Sequence, residues 1–325
     1  PPTAMPLPEP IPRQFDPATL SQWQADAEHA AAPEADQISA GASPWADAGL
    51  ADFRQQVRDF ALTHIAPFAN DWEEAGSFPL ALYRQAAQAG LIGAGFSPAL
   101  GGTGGDIRHT LIVKEELARF GTGGVRVSLT THSIALPPVL ALGSAELQQR
   151  VVPPVLRGEQ VMALAVTEPA GGSDVAGLQT TAVADGADYL VNGRKLFIST
   201  GLRADLYTVA VRTGGPGRAG LSLLLVPRHT PGFSQHALKK TGWWTSDTAE
   251  LVFNQCRVPR ANLIGQEGQG FAGMMANFNS ERLGNTAIVL GSAKACYDEA
   301  LHWARHRQVF DAPLIDKQVV RHKLV

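Results

Sequence analysis

Cysteine is scarce in this chain of 325 residues, and its absence excludes two kinds of site. Cys256 and Cys296 are the only two cysteines, and they lie far apart with no CxxC or Cys/His ligand spacing. A disulfide framework or a zinc site is therefore not expected, and a reducing compartment fits this composition. We predict no bound metal.

An excess of basic residues and long apolar runs are also missing. The 27 Lys and Arg residues face 30 Asp and Glu, which gives a net charge of −3 and no indication of nucleic-acid binding. No apolar run approaches the roughly 18 residues that a membrane span needs, so none is predicted. The N-terminal stretch is acidic and has no signal pattern, which argues against a mitochondrial presequence. We expect a bacterial-type cytoplasmic protein, and a location in the mitochondrial matrix is less favoured.

The patterning along the chain predicts an α+β multidomain protein with four segments. Residues 1–45 are rich in Pro and Ala and are expected to form an extended or partly disordered arm. Apolar residues at helical spacing predict a helical domain over 46–160. Short strands between Gly/Pro turns predict a barrel or sandwich over 161–270. Helical periodicity returns over 271–325, where the chain stops inside a second helix.

Two local patterns give finer predictions. The pair Asn192-Gly193 inside DYLVNGRKLFIS predicts a hairpin turn. In the last segment, apolar residues at helical spacing predict one long stripe, typical of a helix packed on a core. The residues of this stripe are Leu283, Ala287, Leu290, Ala293, Tyr297, Leu301 and Ala304.

Five motifs lie within or beside these elements. In chain order they are Thr167 to Asp174 (TEPAGGSD), Asn192 to Ser199 (NGRKLFIS), Gly242 to Leu251 (GWWTSDTAEL), Val258 to Phe271 (VP, NLIG and GQGF), and Glu281-Arg282 followed by Arg307, Phe310 and Gln318. Taken singly, each motif also fits an ordinary turn, a core aromatic or a solvated helix. Their chemistry suits a ligand, because glycine pairs let backbone N–H groups approach closely and Thr and Ser hydroxyls donate without charge.

In this order and spacing, the five motifs resemble the acyl-CoA dehydrogenase family from about Phe53 to Val325. The resemblance implies an N-terminal α-helical domain, a middle β-barrel-like domain and a C-terminal helical bundle that is incomplete in this chain, with FAD held between them. It also implies a homotetramer built as a dimer of dimers. A role in fatty acid β-oxidation, with electron-transferring flavoprotein as electron acceptor, is expected on the same ground.

The resemblance also assigns the residues around FAD. Val166, Thr167 and Ser173 match positions that contact the flavin ring and the bound thioester. Phe197 and Ser199 match a motif that usually reads Trp-Ile-Thr, so an aromatic face and a hydroxyl are both retained. A further set matches positions that hold the FAD of a neighbouring subunit through pyrophosphate and adenine-side contacts. Arginine is suited to the pyrophosphate because its guanidinium can bind two phosphate oxygens at once. This set consists of Arg307, Phe310 and Gln318.

The implied reaction removes the α-proton of an acyl-CoA thioester while flavin N5 takes the β-hydride, and it yields the trans-2-enoyl-CoA. Glu281 before Arg282 matches the isovaleryl- and long-chain-type members, so Glu281 is expected to be the base. Arg282 and Phe278 are expected to contact the substrate. Trp243 and Trp244 are further candidates for shaping its pocket.

Two alternatives stay open. A flavin oxidase or monooxygenase of the same fold would react with oxygen, and a non-catalytic member would only bind acyl-CoA. Glu281 in the first turn of a helix could also serve only the helix macrodipole. The sequence does not indicate the length or branching of the acyl chain.

Overall fold

The computed structural model describes residues 47–120 and 123–325. The described residues fall into two compact units, one ending at Cys296 and one running from Tyr297 to Val325. The arm predicted for residues 1–45 lies outside the described residues.

The N-terminal half of the larger unit is helical, as predicted. Side-chain caps start three of its helices: Asp47 accepts from the backbone N–H of Gly49, Asp106 from that of Arg108, and Ser144 from that of Leu147. The helices are α1 (Ala48–His64), α2 (Ala69–Ala75), α3 (Ala81–Gln88), α4 (Ile107–Ala118), α5 (Gly123–Thr130), α6 (His132–Ala135), α7 (Pro137–Leu142) and α8 (Ala145–Leu156).

No single helix among the described residues is long and apolar enough to cross a membrane. One bent pair, Gly123–Thr130 with His132–Leu142, reaches that threshold only in combination.

A cluster of ion pairs joins α1 to α4 in addition to the apolar core. The carboxylate of Glu116 is fully buried and lies 2.5 Å from Arg54 Nη1 and 3.1 Å from Arg58 Nε. Glu115 pairs with Arg54 at 3.0 Å and with Lys294 at 2.7 Å. Because Lys294 belongs to a later helix, this cluster also ties that helix to the N-terminal ones.

The middle of the chain is a β domain, but its sheet is open. Eight strands form one sheet, in which β1 pairs with β4 and the other strands follow the order β6-β7-β3-β2-β4-β5-β8. The edge strands β6 and β8 do not pair with each other, so the barrel-like domain is not a closed barrel. The strands are β1 (Met162–Ala165), β2 (Thr181–Asp185), β3 (Asp188–Ser199), β4 (Leu206–Arg212), β5 (Leu221–Pro227), β6 (Phe233–Ala237), β7 (Thr248–Pro259) and β8 (Leu263–Ile264).

The hairpin predicted at Asn192-Gly193 is wrong. Strand β3 continues through this pair, and the turn lies earlier, at Gly186, whose φ is 60°. Gly193 instead occupies a bulge in the pairing of β3 with β7. A Cβ there would lie 2.5 Å from Thr180 Oγ1, so the glycine permits close packing rather than a chain reversal.

The long helix α9 (Gly270–His306) packs through the predicted stripe only near its C-terminal end, where Leu301 and Ala304 are buried. Leu283 and Leu290 are 55% and 48% exposed, so the predicted stripe does not form a core at these positions. The buried face carries Gly291, where a Cβ would lie 2.1 Å from the carbonyl oxygen of Glu115. Glycine is needed at this position because the backbones of α4 and α9 approach so closely.

The smaller unit contains the end of α9 and three short elements. These are β9 (Gln308–Val309), β10 (Ala312–Pro313) and α10 (Gln318–Leu324).

Candidate active site

A cavity of about 640 Å³ lies in the larger unit, a size typical of small-molecule sites. Helices α4, α5, α6 and α9 supply most of its lining, to which the end of β3 and the loop between β6 and β7 also contribute. The charged residues that line it are Lys114, Arg126 and Glu281, and Ser199 and Trp243 lie in the same lining. Two of the predicted site residues, Ser199 and Glu281, therefore share one cavity.

Glu281 lies on the α9 wall of this cavity and is half-buried. Burial raises the pKa of its carboxyl, and the charges of Lys114 and Arg282 oppose that increase. A carboxylate that is partly removed from water is a stronger base than an exposed one. The geometry thus gives Glu281 the environment that proton abstraction requires.

Lys114 is a charged residue of the cavity that the sequence analysis missed. Its side chain is buried, and its ammonium lies against α9, since a Cβ at Gly284 would be 2.5 Å from Lys114 Nζ. Burial lowers the pKa of Lys114, and the negative charge of Glu281 opposes that decrease. In the sequence, the burial of Lys114 was indicated by its position directly after Ile112 and Val113, two apolar residues that are buried in the structure.

Arg126 is the second missed residue. It is only 3% exposed, and its guanidinium lies 5.3 Å from the centroid of the Trp243 ring. Burial lowers the pKa of Arg126 to about 10. Within residues 47–120 and 123–325, no hydrogen-bond acceptor or carboxylate pairs with this guanidinium. In the sequence, its burial was indicated by the fact that it is the single charged residue in the run GGVRVSLTT.

The residues predicted to contact the flavin ring lie on two adjoining segments. The backbone N–H of Leu196 donates to the carbonyl oxygen of Thr167 at 2.8 Å, which joins the Thr167 loop to β3. Next along β3, Phe197 is 65% exposed and has a φ of 60°, at a register shift between Lys195 and Ile198. Positive φ at a bulky residue is strained and typical of functional sites.

These segments carry a donor set that fits a flavin. Phe197 presents an exposed aromatic face, and in the described part of the chain the hydroxyls of Thr167, Ser173 and Ser199 have no hydrogen-bond partner. Val166 lies buried immediately before Thr167. An aromatic face beside free hydroxyl donors suits a ring system that is flat and polar at its edge. The residues present therefore fit the isoalloxazine ring of FAD.

Glu168 of the first motif has a structural role that the sequence analysis did not assign. Its buried carboxylate accepts from Lys195 Nζ at 2.8 Å and from the backbone N–H groups of Gln179 and Thr180 at 2.7 and 2.9 Å. Lys195 also donates to the carbonyl oxygen of Val166 at 3.0 Å. This buried pair fixes the Thr167 loop against β3.

Three other predicted pocket residues do not line the cavity. Phe278 is half-buried outside it, and Arg282 is exposed, with Nη1 3.4 Å from Asn279 Oδ1. Trp243 lines the cavity, whereas Trp244 does not and donates its backbone N–H to Glu73 at 2.6 Å. Substrate contacts by Phe278 and Arg282 therefore stay predictions.

The residues predicted to hold the FAD of a neighbouring subunit lie in the smaller unit. Arg307 stacks on Trp303, with 5.9 Å between its guanidinium carbon and the ring centroid. Phe310 is 88% exposed at a φ of 53°, and Gln318 is the exposed first residue of α10. An exposed aromatic ring, an arginine and an amide are suited to contact another molecule, and their role with FAD stays a prediction.

Comparison with known proteins identifies the family. Models of the N-terminal, middle and C-terminal domains of acyl-CoA dehydrogenase match residues 49–159, 163–256 and 268–325. An acyl-CoA dehydrogenase of Bacillus subtilis is 38% identical over 274 residues, which cover 83% of this chain and 72% of that protein. Mitochondrial isobutyryl-CoA dehydrogenase of Bos taurus is 36% identical, and the match covers 84% of this chain and 66% of the relative.

A solved structure agrees with these relatives. The crystal structure of acyl-CoA dehydrogenase from Geobacillus kaustophilus superimposes with a TM-score of 0.82 at 34% identity, and the match covers 87% of this chain and 75% of that chain. The predicted fold class and family are thus confirmed. The chain belongs to the acyl-CoA dehydrogenase family, whose members are FAD-dependent oxidoreductases.

Proposed function

We propose that this chain catalyses the α,β-dehydrogenation of an acyl-CoA thioester to the trans-2-enoyl-CoA, with Glu281 as the base. The observation that carries this proposal is the half-buried carboxylate of Glu281 in a cavity that also contains Ser199. In a member of an FAD-dependent family, a proton acceptor that shares a cavity with a residue suited to the flavin supports this proposal.

FAD, when bound, supplies the acceptor for the β-hydride. The residues that would hold its ring are Val166, Thr167, Ser173, Phe197 and Ser199, because they combine an exposed aromatic face with free hydroxyls. Arg307, Phe310 and Gln318 would hold the FAD of a neighbouring subunit. This last assignment requires an assembly, for which we propose a homotetramer.

Proton abstraction is the step that this chain's own residues perform. Glu281 must be ionised to accept the α-proton, and the positive charge of Lys114 favours that ionised state in a site where burial opposes it. Arg282 and Phe278 are proposed to contact the CoA-bearing substrate. Electron-transferring flavoprotein is the proposed electron acceptor, β-oxidation the proposed pathway, and the bacterial cytoplasm the proposed location.

The test is Glu281→Gln, which removes the base and keeps the shape of the side chain. We expect kcat with acyl-CoA to fall about 10²- to 10⁴-fold, the usual contribution of general base catalysis, while FAD content and acyl-CoA affinity are retained. Glu146→Gln is the matched control, because Glu146 is an exposed glutamate in the first turn of α8. Full activity of the Glu281→Gln enzyme would refute the assignment of the base.

The two alternatives give different results in one spectroscopic experiment. Anaerobic addition of acyl-CoA to the wild-type protein should bleach the flavin absorbance, and mixing with oxygen should restore it only slowly. Rapid reoxidation would indicate an oxidase or monooxygenase. Binding of acyl-CoA without bleaching would indicate a non-catalytic member.

A further inference from the structure

We propose that the acyl group of the substrate ends in a carboxylate, and that Arg126 binds this carboxylate inside the cavity that contains Glu281. The inference rests on the proposed function, since it names the substrate class of the same site. It assigns a specificity role to Arg126 that is separate from proton abstraction.

The charges that line the cavity are the first observation. Among the described lining residues, Lys114 and Arg126 are cationic and only Glu281 is anionic. Lys114 and Glu281 interact electrostatically and offset each other. The positive charge of Arg126 is therefore left without compensation inside the cavity.

The burial of Arg126 is the second observation. At 3% exposure, its guanidinium has lost most of its contact with bulk water, and no acceptor from residues 47–120 or 123–325 replaces that water. An uncompensated buried charge is costly, and stacking over Trp243 offsets only part of the cost. An anionic ligand would supply the missing partner.

The position of Arg126 in the cavity with Glu281 indicates which anion it binds. The reacting carbon of the thioester must lie at Glu281, so the rest of the acyl chain occupies the cavity that Arg126 lines. A guanidinium fork matches the two oxygens of a carboxylate, which is a common terminal anion of an acyl chain. Asn285 and Ser292 line the same cavity and offer neutral donors beside it.

The wild-type holoenzyme tests this with thioesters matched in chain length. Hexanoyl-CoA is compared with adipyl-CoA, and octanoyl-CoA with suberyl-CoA. We expect kcat/KM to be at least about 30-fold higher for the ω-carboxylated member of a pair, the usual effect of one buried charge pair. Equal or better turnover of the neutral thioesters would overturn the proposal.

Binding distinguishes a failure of this inference from a failure of the proposed function. Calorimetric titration of the Glu281→Gln holoenzyme with suberyl-CoA and octanoyl-CoA gives a Kd ratio that does not depend on turnover. Tighter binding of suberyl-CoA supports the role of Arg126 even if neither thioester is oxidised. A Kd ratio near one overturns that role even if both are oxidised.

Variants of Arg126 give the residue-level test. Arg126→Gln should lower kcat/KM for suberyl-CoA at least about 30-fold and that for octanoyl-CoA less than about threefold. Arg126→Lys keeps the charge and should recover part of the loss. Arg84→Gln, at an exposed arginine outside the cavity, is the control and should leave the ratio unchanged. A loss that is equal for both thioesters would contradict the proposal.

Pantetheine thioesters separate the acyl carboxylate from the phosphates of CoA. Suberyl-pantetheine and octanoyl-pantetheine carry no phosphate, so the discrimination by Arg126 should persist with them. If the effect of Arg126→Gln disappeared with these compounds, Arg126 would bind a phosphate and the proposal would be wrong.

Discussion

Lys114 and Glu281 show how a buried cation can adjust a carboxylate that must act as a base. Burial alone would shift Glu281 towards its neutral form, which cannot accept a proton. The positive charge of Lys114 acts in the opposite direction, and so does that of Arg282, the residue next to Glu281 on α9. The ionisation of Glu281 is therefore a balance between desolvation and nearby charge.

Replacing Lys114 tests this balance. Lys114→Met removes a charge that lowers the pKa of Glu281, so that pKa should rise further above its usual range. Because Glu281 acts as the carboxylate, activity is lost as the pH falls through its pKa, and the acid limb of the kcat/KM profile should move to higher pH.

The measurement is the pH dependence of kcat/KM for one acyl-CoA. Lys239→Met is the control, because Lys239 is exposed and outside the cavity, and its acid limb should match that of the wild type. An acid limb that stayed in place or moved to lower pH in Lys114→Met would show that Lys114 does not act on the base.

At the scale of elements, the contact between α4 and α9 depends on the absence of a side chain. A Cβ at Gly291 would lie 2.1 Å from the carbonyl oxygen of Glu115 and 3.0 Å from the Cβ of Ala118. A backbone oxygen cannot turn aside as a flexible side chain can. Any substitution at Gly291 must therefore separate the two helices.

Gly291→Ala should lower the free energy of unfolding by about 1 to 2 kcal/mol. The reason is that the destabilisation from overpacking exceeds the stabilisation from the higher helix propensity of alanine. Urea denaturation followed by circular dichroism measures the change. Ser280→Ala, at an exposed position of the same helix, should change stability by less than about 0.5 kcal/mol. A Gly291→Ala midpoint equal to that of the wild type would mean that the helices do not pack this closely.

Local patterns predicted most elements and failed where a distant residue decides the outcome. Apolar residues at helical spacing correctly predicted the helical N-terminal domain, which contains α1, α4 and α8. The pair Asn192-Gly193 has the composition of a turn, yet it lies inside β3. Glycine is needed at position 193 because Thr180 packs so closely that a Cβ would collide with it. The stripe through Leu283 and Leu290 has the right period, but these two side chains are exposed, and Gly291 lies on the packed face of α9 instead.

The same limit applies to the candidate site. The motif order predicted that Ser199 and Glu281 belong to one site, and they do line one cavity. Lys114 and Arg126 could not be assigned in this way, because burial of a charged side chain is determined by tertiary packing rather than by its neighbours in sequence. The sequence showed only that each of these two charged residues lies among apolar residues of a predicted helix.

For the whole molecule, binding of FAD should be coupled to stability. Phe310 and Phe197 are both exposed at positive φ, which is costly unless a ligand or partner covers them. Protein stripped of flavin should therefore unfold at a higher temperature when FAD is added. The gain should reach about 2.7 kcal/mol at 100 times the dissociation constant.

Differential scanning calorimetry with increasing FAD measures this gain. AMP is the control ligand, because it lacks the flavin ring and should give a smaller shift at equal concentration. A transition temperature that did not respond to FAD would contradict the assignment of the flavin-contacting residues.

The buried pair of Glu168 and Lys195 restricts how this chain can be recombined with a relative. Both residues must come from the same parent, because a crossover between them that replaced one partner by an apolar residue would leave the other charge buried alone. Loss of one partner of such a pair lowers the free energy of unfolding by about 3 to 5 kcal/mol. It would also remove the side-chain contacts that fix the Thr167 loop against β3, and leave the backbone hydrogen bond between Leu196 and Thr167. Crossover points in a chimeric library therefore belong outside residues 168–195.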